Sequence, residues 1–336
     1  MKAIVCPKLG DPSVLVLEER EPARPEPDQV RVALHGGGVN FSDLLMLSGH
    51  YQEKLVPPFV PGTEGAGVVV ECGSEVTGFR PGDRVLVQNN ATRGCFADEV
   101  VAHWTRLAVI PAELDFVRAA GFAIAYGTAY HALVDRGQLK SGETLLVHGA
   151  SGGVGVAAVQ LGRALGAKVI ATGGNDEKLA VVKGHGADHV INYRNERFRD
   201  RTLELTDGRG VDVVYDPVGG DIFDESMRAM APEGRLIVIG FAGGRIPSAP
   251  ANRILFKEIS VVGAAYGPFT ARAHARWAAN METLFNLVRA GTLVPFVHRT
   301  YGLEDAALAL ASVARREVIG KYVLLTERGR DAQTAT

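Results

Sequence analysis

Cysteine is scarce in this chain. Cys6, Cys72 and Cys95 are the three among 336 residues, an odd number, far apart and without a CxxC pairing. That argues against a disulfide framework and against a cysteine-based metal site, and a reducing cytoplasm is the expected setting. An excess of charge of one sign is also missing. Lys and Arg number 36 against 38 Asp and Glu, for a net charge of −2. No basic footprint suggests nucleic acid, and no acidic tail suggests a solvating segment. Long apolar runs are missing too. The longest, Ala119 to Val134, is broken by Gly121, Gly127 and His131 and falls short of a membrane span. Met1 to Leu9 is stopped by Pro7, too short for a signal-peptide core. Internal repeats and low-complexity tracts are absent. The expectation is a soluble protein that acts on a small or neutral molecule, with neither nucleic acid nor a membrane as partner.

The length suits two domains at about 100 to 200 residues each. From Ala3 to about Ala108 short strands alternate with Gly, Pro and Asp turns: Gln29–Leu34, Ala66–Cys72, Arg84–Gln88 and Ala97–Val101. From about Thr144 strands alternate with helices instead. Strands are expected at Thr144–His148, Lys168–Thr172, His189–Asn192, Asp212–Asp216, Arg235–Ile239 and Ile259–Gly263. Six strands with crossover helices make a doubly wound α/β parallel sheet of the dinucleotide-binding kind. Beyond Gly263 come an amphipathic segment, Ala271–Arg289, a strand at Phe296–Tyr301, a helix at Leu303–Ala314 and a last strand, Lys321–Leu325. This tail has no sheet of its own and is expected to pack back onto the N-terminal region. The polar residues from Arg328 read as disordered.

The strongest local signal is Leu145-Leu146-Val147-His148-Gly149-Ala150-Ser151-Gly152-Gly153-Val154-Gly155, followed by an apolar helix. A strand turning sharply into a helix needs glycines for unusual dihedrals, for close approach of backbone to a pyrophosphate and for tight helix packing. The helix N-terminus then offers free N–H groups to the phosphates. The second strand ends Ile170-Ala171-Thr172-Gly173-Gly174, with no acid to hold the ribose diol of NAD. That leaves room for the 2′-phosphate of NADPH. Asn175 or Asp176 is a good N-cap, and Lys178 falls in the first helical turn, where the dipole disfavours a cation by roughly 0.3–1 kcal/mol unless an anion meets it.

Across nearly its whole length the chain resembles the quinone-oxidoreductase branch of the medium-chain dehydrogenase/reductases, the ζ-crystallin relatives. The likeness rests on Val39-Asn40-Phe41-Ser42-Asp43, Ser48-Gly49-His50-Tyr51, Pro61 to Gly67, Gly78 to Val85, Tyr126 to Tyr130, the glycine turn and Asp216-Pro217-Val218-Gly219-Gly220. Gly240 to Gly244 with Pro250-Ala251-Asn252 is similar to the quinone oxidoreductase-like subgroup. The resemblance implies a Rossmann domain over residues 124–264 and a GroES-like β-rich catalytic domain over 1–123 and 265–336. It implies NADPH as cofactor, with Gly174, Lys178 and Tyr193 at the 2′-phosphate and Ser151, Gly152, Gly153 and Val154 at the pyrophosphate. Asn40, Thr128 and the Gly240-Phe241 turn would surround the nicotinamide and its ribose.

Zinc-dependent relatives carry a cysteine where this chain has Asn40 and a histidine where it has Thr63, so no metal is expected. The nine histidines show no ligand grouping, and His50, His131 and His148 read as packing or hydrogen-bonding residues. Without a Lewis acid, acceptors that take a hydride readily fit best: quinones first, then α,β-unsaturated carbonyls or enoyl thioesters. Tyr51 is the candidate donor to the acceptor oxygen, Asn40 a supporting orienter, and Asp43 either a loop anchor or a proton carrier. Several quinone reductases have a second tyrosine where this chain has Leu45. A more apolar cleft follows, with Leu45, Tyr51, Phe241 and Tyr266 as walls. Arg93, Arg245 and Arg253 are the basic residues that a carrier phosphate of an enoyl thioester would need. A non-catalytic, cofactor-binding structural or RNA-binding protein is the alternative of another class. The apolar strand Ile259 to Ala265 lacks a lysine or proline to block pairing, which predicts a homodimer through that edge.

Overall fold

The computed structural model describes residues 1–89 and 94–334. The chain divides into two compact units: Met1–Ile124 with His274–Arg289 and the stretch from Val294 onward, and Ala125–Ala273 with Ala290–Leu293. The first unit opens with the antiparallel pair β1 (Lys2–Val5) and β2 (Val16–Glu19). There follow β3 (Gln29–Val39), α1 (Phe41–Leu47), β4 (Glu64–Cys72), β5 (Arg84–Gln88), β6 (Glu99–His103), β7 (Leu107–Val109) and α2 (Phe116–Ala120). Strand β3 is the hub, pairing antiparallel with both β4 and β6. Its alternate residues Val30, Val32 and Leu34 pack with Val69, Val85, Val87 and Leu107, the period-2 burial of a sheet with one face on the core.

Strand β3 runs five residues beyond the expected end at Leu34, straight through Gly36, Gly37 and Gly38. These glycines do not break the strand. A Cβ at Gly37 would lie 2.4 Å from the Cys95 carbonyl oxygen, and one at Gly38 would lie 2.3 Å from that of Ala120. Neighbouring backbone therefore closes onto β3 where a side chain would stand.

In the second unit α3 (Ala123–Tyr130) passes into a π-helical turn, His131–Arg136. Then come β8 (Thr144–Val147), α4 (Gly153–Ala164), β9 (Lys168–Gly173), α5 (Asp176–Gly184), β10 (His189–Asn192), α6 (Phe198–Glu204) and β11 (Val211–Asp216). The unit continues with α7 (Gly220–Ala229), β12 (Met230–Val238), α8 (Ala251–Lys257), β13 (Ser260–Gly263) and α9 (Tyr266–Arg272). Among the described residues the sheet has six parallel strands in the order β10-β9-β8-β11-β12-β13. This is the doubly wound arrangement expected from the strand and helix alternation, with its switch point between β8 and β11. Both faces of the sheet are covered, so β11 is buried at every position.

The tail returns to the first unit as α10 (His274–Arg289), β14 (Val297–Gly302), α11 (Ala306–Ala314), β15 (Lys321–Leu325) and α12 (Glu327–Thr334). Strand β15 pairs antiparallel with β3, as the lack of a separate sheet predicted. Leu303, Leu310 and Leu324 pack with Ile4, Val39, Leu47 and Phe96. Burial of each leucine contributes roughly 1.5–3 kcal/mol. One expectation is refined here and one fails. Ala271–Arg289 is two helices, because Ala273 leaves helical geometry at φ −135° and ψ 53°. The residues from Arg328 are helical, since α12 is held by ion pairs from Glu327 to Lys2 and from Arg330 to Glu304. No helix among the described residues is long and apolar enough to cross a membrane.

Candidate active site

The turn from β8 into α4 lies at the switch point of the parallel sheet. Gly149 has φ +56°, and a Cβ on Gly155 would lie 2.3 Å from the Gly149 carbonyl oxygen. The helix therefore starts hard against the turn, as a phosphate-binding turn requires. Gly152 is the N-cap of α4, and a Cβ there would meet only the Gly149 oxygen at 3.4 Å. Ser151, Gly152, Gly153 and Val154 are all partly exposed, with the helix N-terminus at their backs. Below them His148 is 1% exposed and bridges two elements, with Nδ1 2.8 Å from Thr172 Oγ1 and Nε2 2.8 Å from Ser226 Oγ. Ser226 Oγ donates its own proton to the Ile222 carbonyl oxygen. Nε2 is therefore the protonated nitrogen and Nδ1 accepts from the threonine. Burial pushes this imidazole down to about 3, so it is neutral.

At the end of β9, Gly173 and Gly174 leave the strand without an acid, and Asn175 Oδ1 caps α5 by accepting from Lys178 N at 2.9 Å. Tyr193 closes over Gly174: a Cβ there would lie 2.8 Å from the phenol oxygen. Gly174 and Tyr193, distant in sequence, thus meet, and Lys178 lies in the first turn of α5, which follows Gly174. Tyr193 stays 45% exposed, its ring open to a ligand.

At the end of β11 the buried Asp216 accepts from Val218 N at 2.8 Å and Gly219 N at 3.0 Å. Burial raises its carboxyl against those two bonds. The turn after β12 is tied to this one by Ala242 N to the Pro217 oxygen and Gly243 N to the Val218 oxygen. Gly240 opens that turn, and Phe241 lies over Gly219 while 39% exposed, so it is not a core aromatic. Thr128 is buried on α3. One residue earlier, Gly127 leaves space for the Tyr266 hydroxyl, which a Cβ would meet at 1.8 Å. Tyr266 packs beside Phe269, on which His131 stacks at 3.9 Å, and His131 Nδ1 lies 2.8 Å from Asp135. Arg245 is bound to Asp221 and Asp224, and Arg253 donates to the Asp224 carbonyl oxygen. Arg93 lies outside the described residues.

In the first unit Asn40 precedes α1. Its backbone N–H donates to Asp43 Oδ2 at 2.8 Å, which makes the wholly buried Asp43 an anchor of that turn. The carbonyl of Leu45 accepts from both His50 N and Tyr51 N at 2.8 and 2.9 Å, and Tyr51 remains partly exposed. The Asn40 amide is enclosed by residues that the sequence did not mark. Its Nδ2 donates to Glu64 Oε1 at 2.9 Å, and its Oδ1 accepts from Lys321 Nζ at 2.7 Å. A lysine opening an otherwise apolar strand was the available signal; its partner lies 257 positions away. Cys95 is buried near Glu64 and Asp43, and burial followed by those carboxylates pushes its thiol up, so it is no nucleophile.

The donor set here does not fit zinc. An amide whose oxygen is taken by an ammonium and a threonine hydroxyl replace the nitrogen and sulfur ligands that zinc needs. No group of three or more His, Cys, Asp or Glu is placed to hold a metal among the described residues.

Residues 153–286 match the family described as zinc-binding dehydrogenase, and residues 26–113 match the alcohol dehydrogenase GroES-like domain. A quinone oxidoreductase-like protein 2 homolog from Nematostella vectensis is 40% identical over 97% of this chain and 89% of its own length. The structure of Escherichia coli quinone oxidoreductase complexed with NADPH superposes with a TM-score of 0.89 at 31% identity, covering 97% of this chain and all of the other. The structure of a 2-haloacrylate reductase superposes with a TM-score of 0.86 at 32% identity, over 97% of this chain and all of that one.

Proposed function

Since the chain belongs to the quinone-oxidoreductase branch of the medium-chain dehydrogenase/reductases, we propose that it reduces quinones with NADPH and without zinc. The chain is an NADPH-dependent oxidoreductase; the acceptor and the residues below are our reading. The observation that carries it is the end of β9, where Gly173 and Gly174 stand in place of an acid, with Tyr193 and Lys178 beside them.

When bound, NADPH supplies a hydride from its nicotinamide ring. Ser151, Gly153 and Val154 offer backbone N–H groups to the pyrophosphate, Gly152, whose own N–H is held by the Gly149 oxygen, lets it approach the backbone, and Gly174, Lys178 and Tyr193 hold the 2′-phosphate. Thr128, Gly240, Phe241 and Asn40 are assigned to the nicotinamide and its ribose. Leu45, Phe241 and Tyr266 exclude water from the acceptor, and the Tyr51 hydroxyl donates to its oxygen. Asp43 holds the turn rather than moving a proton. We read the cofactor domain as residues 124–264 and the GroES-like domain as 1–123 with 265–336. We place the enzyme in the cytoplasm as a homodimer through the β13 edge, without nucleic acid as partner.

Reduction of α,β-unsaturated carbonyls or enoyl thioesters is the second reading, favoured by the likeness to a 2-haloacrylate reductase. For thioesters, Arg245 and Arg253 would first have to leave Asp221 and Asp224 to meet a carrier phosphate. Steady-state turnover of NADPH with a panel of quinones, enones and enoyl-CoA esters tests the assignment. Higher kcat/KM for quinones is expected; no NADPH oxidation with any acceptor would support a non-catalytic binding role instead.

A further inference from the structure

Strand β15 begins with a buried lysine. Lys321 is 3% exposed and Glu64 is 0% exposed. Lys321 Nζ lies 2.8 Å from Glu64 Oε1, 2.7 Å from Asn40 Oδ1 and 2.7 Å from the Val39 carbonyl oxygen. Its three hydrogens therefore have three oxygen partners. Glu64 is equally committed: Oε1 also accepts from Asn40 Nδ2, and Oε2 accepts from Ile124 N at 2.9 Å. The Asn40 amide closes the ring, with a further bond from Nδ2 to the Gly38 oxygen at 3.2 Å. The backbone is shaped around this group. A Cβ at Gly38 would lie 2.7 Å from Glu64 Oε1, and one at Gly121 would lie 3.3 Å from the Lys321 side chain.

A buried ion pair is a poor device for stability alone, because apolar residues of similar volume often do as well or better. What this pair does is fix the Asn40 amide. An ammonium at Oδ1 and a carboxylate at Nδ2 admit one orientation of an otherwise flippable group. From Asn40 the bonds run on within the same unit. Its N–H is held by Asp43, α1 follows, and the Leu45 carbonyl at the end of that helix takes the N–H groups of His50 and Tyr51.

We propose that Glu64 and Lys321 are positioning residues for the reduction, acting through Asn40 to hold the α1 turn that presents Tyr51 to the acceptor. The proposal rests on the NADPH-reductase reading above and deepens it. Through Asn40 the pair serves the nicotinamide and acceptor end of the reaction, and it leaves the phosphate-binding turn of the second unit untouched.

The test is a cycle of Lys321→Met with Glu64→Gln, made together so that no unpaired charge is left buried, against Tyr51→Phe. Each variant is assayed for NADPH affinity by fluorescence titration and for turnover of a quinone and of an α,β-unsaturated ketone. The paired substitution is expected to keep NADPH affinity within about twofold and to lower ketone turnover at least tenfold. Tyr51→Phe, costly in the wild type, is expected to cost less than about threefold in the paired background, because both changes act on one route. Lys321→Arg is the second arm. It keeps the charge but not the three short bonds, and a tenfold loss of ketone turnover with intact NADPH binding is expected. Wild-type turnover in either arm, or an undiminished cost of Tyr51→Phe, overturns the assignment alone. A wild type that oxidises NADPH with no acceptor overturns the reductase reading and this assignment with it.

Discussion

The hydroxyl of Tyr193 stands in the space that any side chain at Gly174 would claim, with a Cβ there only 2.8 Å from the phenol oxygen. Together with Lys178 this pairing predicts cofactor choice. Lys178→Glu should raise the Michaelis constant for NADPH by about tenfold or more and leave that for NADH nearly unchanged, since a charged hydrogen bond to phosphate is worth about 1.5–3 kcal/mol. Steady-state kinetics with both cofactors decides it, and equal effects on the two would remove the phosphate from this corner.

Tyr51 separates the acceptor classes. Reduction of an enone builds charge on one oxygen, where a single donor in a dry site is worth about 3–4 kcal/mol, or two to three decades in rate. A quinone gains aromaticity and depends less on that donor. Tyr51→Phe should therefore cut enone turnover severely and quinone turnover mildly, with NADPH affinity unchanged. Loss of affinity in step with activity would make Tyr51 a structural residue.

Metal independence is predicted from Asn40 and Thr63, which stand where zinc-dependent relatives carry ligands, with the Asn40 oxygen taken by Lys321. Elemental analysis should find no stoichiometric zinc, and chelators should leave turnover intact. One tightly held zinc per chain would overturn the reading.

Assembly is predicted from the open edge of the parallel sheet. Strand β13 has no outer neighbour among the described residues, and Leu255 and Phe256 on the preceding helix are 72% and 82% exposed. An unblocked edge beside apolar surface suits an isologous two-fold contact. Light scattering at micromolar concentration should give the mass of two chains, and Leu255→Lys with Phe256→Lys should give one. A wild-type monomer would count against the edge.

His148 gives a pH signature. Its imidazole titrates near 6.5 in the unfolded chain and at about 3 in the folded one. The unfolded chain thus binds the extra proton between those values, so the contribution of His148 is complete above pH 6.5 and is lost as the pH falls towards 3. In urea denaturation the gap between wild type and His148→Asn should narrow by about 2 kcal/mol from pH 7 to pH 5, at about 1.4 kcal/mol per pH unit below 6.5. A constant gap would mean that another buried group carries the acid sensitivity.

Much of the second unit was legible because its signals are local: an apolar strand, a glycine turn and a capped helix follow one another within a few residues. The run Ala119 to Val134 was harder. It is buried on nearly every side in α2, α3 and the π-helical turn, and so shows no amphipathic period. Helix α12 was misread because its polar sequence gains order from Lys2, His35 and Glu304, none of them nearby in the chain. Asn40 was marked as a site residue, whereas Glu64 and Lys321, which hold it, were not. The lysine that opens an apolar strand is a local mark, but nothing nearby names its partner, which lies 257 positions away.

Strand β15 carries a consequence for synthesis on the ribosome. Glu64 emerges 257 residues before the ammonium that neutralises it and the strand that completes β3. The second unit is nearly continuous in sequence and has all six strands of its sheet long before then, so it is free to fold first, as domains do during translation. Until Lys321 leaves the exit tunnel, the first unit holds a carboxylate without its counter-ion and a sheet without its closing strand. A stalled or C-terminally clipped chain would therefore be a nucleotide binder with no organised reaction centre, and quality control would meet it as a half-folded product.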